Sequence, residues 1–124
     1  MITLSTLALA GSALGVLVTG TLATMFLIDP VRGMAQTTHH AEQLPQVMTG
    51  RYVALAALAL GATIYGHMPV IAFLFGVFAF LGFADASIYS RAGRPALKHV
   101  IAGCTALAVM SLAVAAIYQT GAPH

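Results

Sequence analysis

An aspartate, Asp85, lies inside an apolar part of the sequence, in the stretch FADASIY, and basic residues follow it closely. A carboxylate beside a histidine can move a proton, and an arginine beside both can hold an anion. Ionisable groups in membrane segments are costly, and they usually face the interior and are paired. The residues whose types and positions suit such a site are Asp85, His99 and Arg51, with Lys98 and Arg32 near the same level.

The composition indicates that the surrounding chain lies in a membrane. Of the 124 residues, 60% are hydrophobic and only 6% are charged, whereas soluble domains carry about 25% charged residues. A membrane span needs about 20 mostly apolar residues. The apolar runs lie at 7–28, 50–66, 69–89 and 97–118. They predict an all-α polytopic membrane protein, with a single domain over 1–124 that forms an up-down-up-down bundle of four transmembrane helices.

The segments between the runs contain residues that begin and end helices. We expect the first run to be a retained helix, because it lacks a basic flank and its apolar stretch is too long for the h-region of a signal peptide. Asp29 can cap a short interfacial helix that starts with Pro30. Pro45 is expected to interrupt the chain before the second span, and GHMP, residues 66–69, is expected to form a tight turn.

The basic residues predict the orientation in the membrane. The GHMP turn and both termini lie on one side (side A), and the loops at 29–49 and 90–96 lie on the other (side B). All five Lys and Arg residues fall on side B, and cytoplasmic loops carry such an excess. We therefore predict that side B is cytoplasmic and that both termini lie outside; the expected location is a bacterial inner membrane. Tyrosines favour membrane interfaces, and the chain has Tyr52 and Tyr89 at side B ends and Tyr65 and Tyr118 at side A ends.

This membrane topology brings the candidate residues to a similar depth in the membrane. Asp85 approaches side B late in the third span, Arg51 starts the second span, and His99 lies in the first turn of the fourth. Asp85 and Arg51 are the expected pair, and His99 can bond the same carboxylate, which gives a polar pocket open to the cytoplasm. A purely structural role stays open, in which Arg51, Lys98 and His99 snorkel to headgroups and Asp85 only ties helices together.

Other chemistry finds little support in the sequence. His39, His40 and Glu42 are close together, but adjacent histidines on a loop rarely converge on one metal, so no metal is predicted. No nucleophile elbow, phosphate loop or haem motif occurs, which leaves the cofactor unknown. Cys104 is the only cysteine, and a net charge of +2 is too small to predict nucleic-acid binding.

Small residues recur at a spacing of four along the apolar runs. Such residues let helix backbones approach closely where lipid supplies no hydrophobic drive. They predict tight packing and, because they exceed what four helices need, a homo-oligomer or docking onto a larger membrane complex. The pairs concerned are Gly11 with Gly15, Gly50 with Ala54, and Ala57 with Gly61, and Gly103 is a further small residue in the last run.

Several short motifs resemble a known family. They are GRYVALAALALGATIYG, GFADASIY and KHVIAG, over roughly residues 24–118. The pattern is similar to small four-helix bacterial and fungal membrane proteins of unknown function that are distantly DoxX-like. The resemblance implies the four-helix fold and matches Gly50, Arg51, Asp85 and His99 to the family's polar positions. Tyr52 stands where the family commonly has an acid, and DoxX-like relatives are associated with sulfur or quinone redox membranes.

Three hypotheses on function remain open. The first is an accessory membrane subunit, or a binder of a small lipophilic molecule such as a lipid, quinone or isoprenoid, at the polar cluster. The second is a small intramembrane enzyme in which His99 and Asp85 act as acid and base and Arg51 holds an anion. The third is a dimeric small-multidrug-type transporter, which ranks last because Asp85 lies near one end of its span. Whether the protein is an enzyme is not decided by the sequence.

Overall fold

The computed structural model describes residues 1–121, and these residues form an all-α chain. Four helices of 22–25 residues have lengths of about 33–38 Å at 1.5 Å per residue, enough to cross a hydrocarbon core of about 30 Å. The predicted all-α class with four membrane-length helices is therefore confirmed, and by helix composition the chain is a multi-pass membrane protein. In order the helices are α1 (Leu4–Ile28), α2 (Pro30–Gln36), α3 (Leu44–Tyr65), α4 (Met68–Arg91) and α5 (Leu97–Thr120), with a 3-10 turn, Ala41–Gln43, before α3.

Asp29 joins α1 to the short helix α2. Its backbone N–H donates to the Met25 carbonyl at 2.9 Å, which closes α1. Its carboxylate accepts from the Arg32 backbone N–H at 3.0 Å, and Pro30 follows as the first helical residue. The expected cap and short helix are confirmed. Gly33 is buried because α2 folds back on the end of α1, where the Phe26 ring covers it.

The second membrane-length helix begins earlier than expected. It starts at Leu44 rather than at residue 50, and Pro45 lies in its first turn instead of interrupting the chain. Proline is tolerated there because the first N–H groups of a helix have no intrahelical acceptor. Arg51 and Tyr52 therefore lie about two turns inside α3, and the expectation that Arg51 starts this helix is wrong. The other three spans begin and end within three residues of the expected positions.

The predicted tight turn between α3 and α4 is confirmed. Gly66 has a φ of 71°, in the left-handed region that glycine enters without a Cβ penalty. Its N–H donates to the Ala62 carbonyl at 2.9 Å, which ends α3. Pro69 is the second residue of α4, again a position where the missing N–H costs nothing.

The long helices α4 and α5 pack against each other along small residues. Their buried positions hold only glycine and alanine, so the two backbones can approach closely. The chain divides into two compact units, Met1–Arg51 and Tyr52–His124, and α4 and α5 lie in the second. The arrangement of all four spans as one bundle and one domain stays a prediction. The buried residues are Ala79, Gly82 and Ala86 on α4 and Gly103, Ala106 and Ala113 on α5.

Candidate functional site

Asp85 and His99 come together where α4 ends and α5 begins. Asp85 lies in the last two turns of α4, and His99 is the third residue of α5. His99 Nδ1 is 3.9 Å from Asp85 Oδ2, and the side chains are 29% and 27% exposed, respectively. This distance suits an ion pair when the imidazole is protonated, but it is too long for a direct hydrogen bond. The two groups therefore face each other but do not form a hydrogen bond.

Tyr89 completes this cluster from α4. Its ring stacks on the His99 ring with centroids 4.8 Å apart and planes inclined by only 8°. Asp85 and Tyr89 are four residues apart, so they lie on the same face of α4. The carboxylate and the aromatic face thus reach the imidazole from a single helix. We refer to these three residues as the Asp85–Tyr89–His99 cluster.

A close approach of the two backbones holds His99 near α4. A Cβ built on Gly82 would lie 2.6 Å from the Gly103 backbone nitrogen and 3.1 Å from the His99 carbonyl oxygen. Distances this short leave no room for any side chain at residue 82. Gly82 lies one turn before Asp85 and Gly103 lies one turn after His99, so the glycine contact sets the separation of the cluster's two polar groups.

The Asp85 carboxylate retains unused hydrogen-bonding capacity. An ionised carboxylate has about four acceptor sites, yet within residues 52–121 its polar contact is the 3.9 Å approach of His99. Asp85 is also the only Asp or Glu in this part of the sequence. A water molecule or a ligand donor beside the pair can bridge two polar atoms at this distance. The arrangement can therefore bind a polar group or transfer a proton.

A surface depression adjoins the cluster at the turn between α4 and α5. Gly93 has a φ of 68° there, and the Arg94 N–H donates to the Tyr89 carbonyl at 2.9 Å, so the turn folds against the end of α4. The depression has a volume of about 490 Å³. We refer to it as the cationic depression, and its lining residues are Tyr89, Arg94, Pro95, Leu97, Lys98 and His99.

The remaining candidate residues are exposed and distributed along the chain. Lys98 precedes His99 on α5 and lines the cationic depression. Arg32 lies in the first turn of α2, at one end of a separate groove along α1. Arg51 is on α3, in the unit Met1–Arg51, whereas Asp85 lies in the other unit. The pairing of Arg51 with Asp85 stays a prediction.

The sequence did not identify Tyr89 or Arg94 as site residues. The sequence predicts Tyr89 only as an interface aromatic, although its spacing of four from Asp85 is a usable signal. It predicts Arg94 only as a basic loop residue, because the place of Arg94 beside His99 depends on how the turn folds. As for the histidine-rich loop, no group of three metal-binding side chains occurs within residues 1–121.

Comparisons with known proteins do not assign the chain to a family. No protein-family model, curated protein or solved structure matches it. The resemblance to DoxX-like membrane proteins therefore stays a prediction from the motifs. Any function proposed for the chain depends on the geometry of its own residues.

Proposed function

We propose that this multi-pass membrane protein binds a small lipophilic molecule with a polar end at the Asp85–Tyr89–His99 cluster. The observation that carries the proposal is the placement of His99, whose imidazole faces Asp85 at 3.9 Å and stacks on Tyr89 at 4.8 Å. A polar group of a ligand can bridge the His99 imidazole and the Asp85 carboxylate. The apolar part of such a ligand can lie along the exposed hydrophobic side chains of the same helix ends, which include Ile88 and Leu97.

The partial exposure of the cluster supports binding over a purely structural tie. Groups that only hold helices together are usually saturated by each other, since an unsatisfied polar group in a membrane costs free energy. Here the carboxylate and imidazole stay more than a quarter exposed and do not form a hydrogen bond with each other. Lipid, quinone and isoprenoid are the ligand classes that combine a long apolar part with a polar end.

A second candidate function uses the same two groups as catalysts. An imidazole facing a carboxylate is a suitable general acid–base pair when a substrate proton lies within reach. The 3.9 Å separation favours this candidate because one atom of a substrate could contact both groups. The protein would then be a small intramembrane enzyme. In both candidates we expect it to act as a homo-oligomer or as an accessory subunit of a larger membrane complex.

Co-purification tests the binding proposal. We expect the wild-type protein, extracted in mild detergent, to retain a lipophilic molecule that mass spectrometry identifies. His99→Gln and Asp85→Asn should each reduce its retention at least tenfold, because the first removes the imidazole and the second removes the negative charge of the carboxylate. Incubating the recovered molecule with wild-type protein and with Asp85→Asn tests the enzyme candidate, since an enzyme would convert the molecule, seen as a change of mass or of chromatographic retention, in the wild type alone.

His67→Gln is a matched control for this experiment. His67 also lies next to a tyrosine ring, with its centroid 5.8 Å from that of Tyr65, but at the other end of α4. We expect this variant to retain the molecule as the wild type does. Equal retention by all variants, or a loss that follows thermal stability alone, would show that the cluster has only a structural role.

The proposed orientation places the cluster at the cytoplasmic side of a bacterial inner membrane, with both termini outside. The support is the position of the basic residues. Some lie at the end of α4 and the start of α5, near the cluster, and the others lie between α1 and α3 or in the first turns of α3. Reporter fusions at the C-terminus and within residues 36–42 should report opposite compartments. A cytoplasmic C-terminus would contradict the orientation, and equal compartments would contradict four spans.

A further inference from the structure

We infer that the cationic depression binds the phosphate group of an anionic phospholipid. The depression adjoins the Asp85–Tyr89–His99 cluster and shares Tyr89 and His99 with it. Its two permanent cations, Arg94 and Lys98, lie outside the cluster. The inference therefore stands independently of the ligand proposed for the cluster.

The charges around the depression are unbalanced. Between residues 52 and 121 the basic residues are Arg91, Arg94 and Lys98, and Asp85 is the only carboxylate. Asp85 faces His99. Among residues 52–121, neither Arg94 nor Lys98 has a carboxylate within 4.0 Å, and Asp85 with His99 forms the only ion pair there. Two exposed cations beside one depression attract a ligand that brings its own negative charge.

The lining and volume of the depression suit a phosphate headgroup. Arg94 lines it from the turn and Lys98 lines it from the first turn of α5, so an anion bound there is attracted by a cation on each of these two segments. Arginine binds phosphate through two parallel N–H groups, and lysine binds it as a point charge. The start of α5 has no side-chain cap, so its first N–H groups add partial positive charge on the same side. A volume of about 490 Å³ leaves room for a headgroup as well as the phosphate.

The surroundings favour a lipid over soluble phosphate. Leu97 lines the depression and is 69% exposed, and Ile101 follows one turn later on α5 and is 52% exposed. An acyl chain attached to the bound phosphate can therefore continue along an apolar helix surface. Basic residues at the ends of membrane helices are attracted to anionic lipids. Soluble phosphate would gain nothing from the apolar side chains.

Lipid competition measured by native mass spectrometry tests the inference. The full-length protein is purified in mild detergent and mixed with equal amounts of phosphatidylglycerol and phosphatidylcholine. We expect the wild type to retain phosphatidylglycerol preferentially. Each cation near an anionic lipid contributes about a fivefold preference, so Arg94→Gln with Lys98→Gln should lower the preference about 25-fold. Arg94→Lys with Lys98→Arg preserves the charge and should keep most of it.

Two control variants locate the effect. Arg91→Gln removes a cation from the last turn of α4, outside the depression, and should leave the preference within twofold of the wild type. Asp85→Asn removes the carboxylate charge on which the proposed function depends and should keep the preference for anionic lipid. The two proposals can thus fail separately. Circular dichroism and gel filtration confirm that each variant is folded before it is compared.

The possible outcomes decide the inference. A loss of preference in the double variant, with retention in Arg91→Gln and Asp85→Asn, supports a phosphate site in the depression. An equal loss in Arg91→Gln shows a diffuse basic surface and overturns it, as does an unchanged double variant. Displacement of phosphatidylglycerol by an equal concentration of inorganic phosphate would identify a soluble anion as the ligand and overturn the assignment to lipid.

Discussion

The helix α1 and the pair α4–α5 are equally suited to a membrane by length and apolar composition, yet they pack very differently. No residue of α1 is buried, and a Cβ built on Gly11, Gly15 or Gly20 would meet no atom within 4 Å. On α4 and α5, a Cβ on Gly82 or Gly103 would approach another atom to 2.6 or 2.8 Å. The same residue type is open in one region and close-packed in the other.

This difference shows that a small residue permits close packing but does not cause it. Gly82 is close-packed because the Gly103 backbone faces it, and Gly103 is covered by the Phe83 ring. Dispersion contacts extend only over about 4 Å, so each requires a fitting surface on the partner. From the sequence, the small residues of the first, second and fourth runs predict the same tight packing, although of those named only Gly103 lies in a contact that the structure shows. The open glycines on α1 are therefore where the expected self-association can be tested.

The largest effect is expected from alanine at Gly82. The new methyl group would clash with the Gly103 and His99 backbones, which cannot move aside as a flexible side chain can. Overpacking of this kind costs about 1–3 kcal/mol, and the backbone contact places Gly82→Ala at the upper end. The free energy of unfolding, measured by circular dichroism during titration with a denaturing detergent, gives the value.

Gly11→Ala is the matched control for that prediction. It adds the same methyl group to an open position and exchanges glycine for a better helix former, so its stability should stay equal or rise by up to about 1 kcal/mol. Similar losses in both variants would remove the contrast between the two regions. A loss in Gly11→Ala that depends on protein concentration would show that a second copy covers α1.

An intermediate effect is expected at Gly103. Its methyl group would meet the Phe83 ring at 2.8 Å, but a side chain can rotate away, so Gly103→Ala should cost about 1–2 kcal/mol. Combining it with Phe83→Leu should restore part of the loss, because the smaller side chain leaves room. Gly61→Ala is the control, since no atom lies within 4 Å of its built Cβ. Additive losses in the double variant would place the clash elsewhere.

Gly61→Leu extends this test to assembly. Gly61 is open in the structure, so a leucine there can be accommodated unless another helix or a second copy covers that face. If α3 takes part in a homo-oligomer, Gly61→Leu should reduce the oligomer on gel filtration and crosslinking. An unchanged oligomer and unchanged thermal stability would show that this face contacts lipid.

The smallest effect is expected for the polar contact between the packed helices. Asp85→Asn and His99→Gln, measured singly and together, should show a coupling of about 0.6 kcal/mol and at most about 1.7, as for other polar contacts between membrane helices. The same double-mutant cycle, with Asp85→Asn and Arg51→Gln, tests the predicted ion pair of Asp85 and Arg51. A coupling of about 3 kcal/mol or more there would show a buried pair, whereas additivity would show that the two residues do not meet.

Much of the fold could be predicted because its signals are local. A run of apolar residues fixes the length of a span, Asp29 followed by Pro30 starts a helix, and Gly66 allows the left-handed turn before Pro69. Each of these effects acts within a few residues of the chain. Pro45 shows where such reasoning fails, because proline breaks a helix interior but is accepted in its first turn, and the difference depends on where the helix begins.

The candidate site was predictable only in part. Its ionisable members were visible from the sequence, because an aspartate in an apolar run stands out and a histidine at the start of the next run lies at the same end. The stacking of Tyr89 on His99 and the position of Arg94 beside them depend on the distance and rotation between α4 and α5. Those are fixed by the meeting of Gly82 and Gly103 across the helices. The sequence by itself determined the four membrane-length helices and the residue types at their ends. Only the tertiary structure decided which side chains meet, because packing contacts act over a few ångströms between residues that are far apart in the chain.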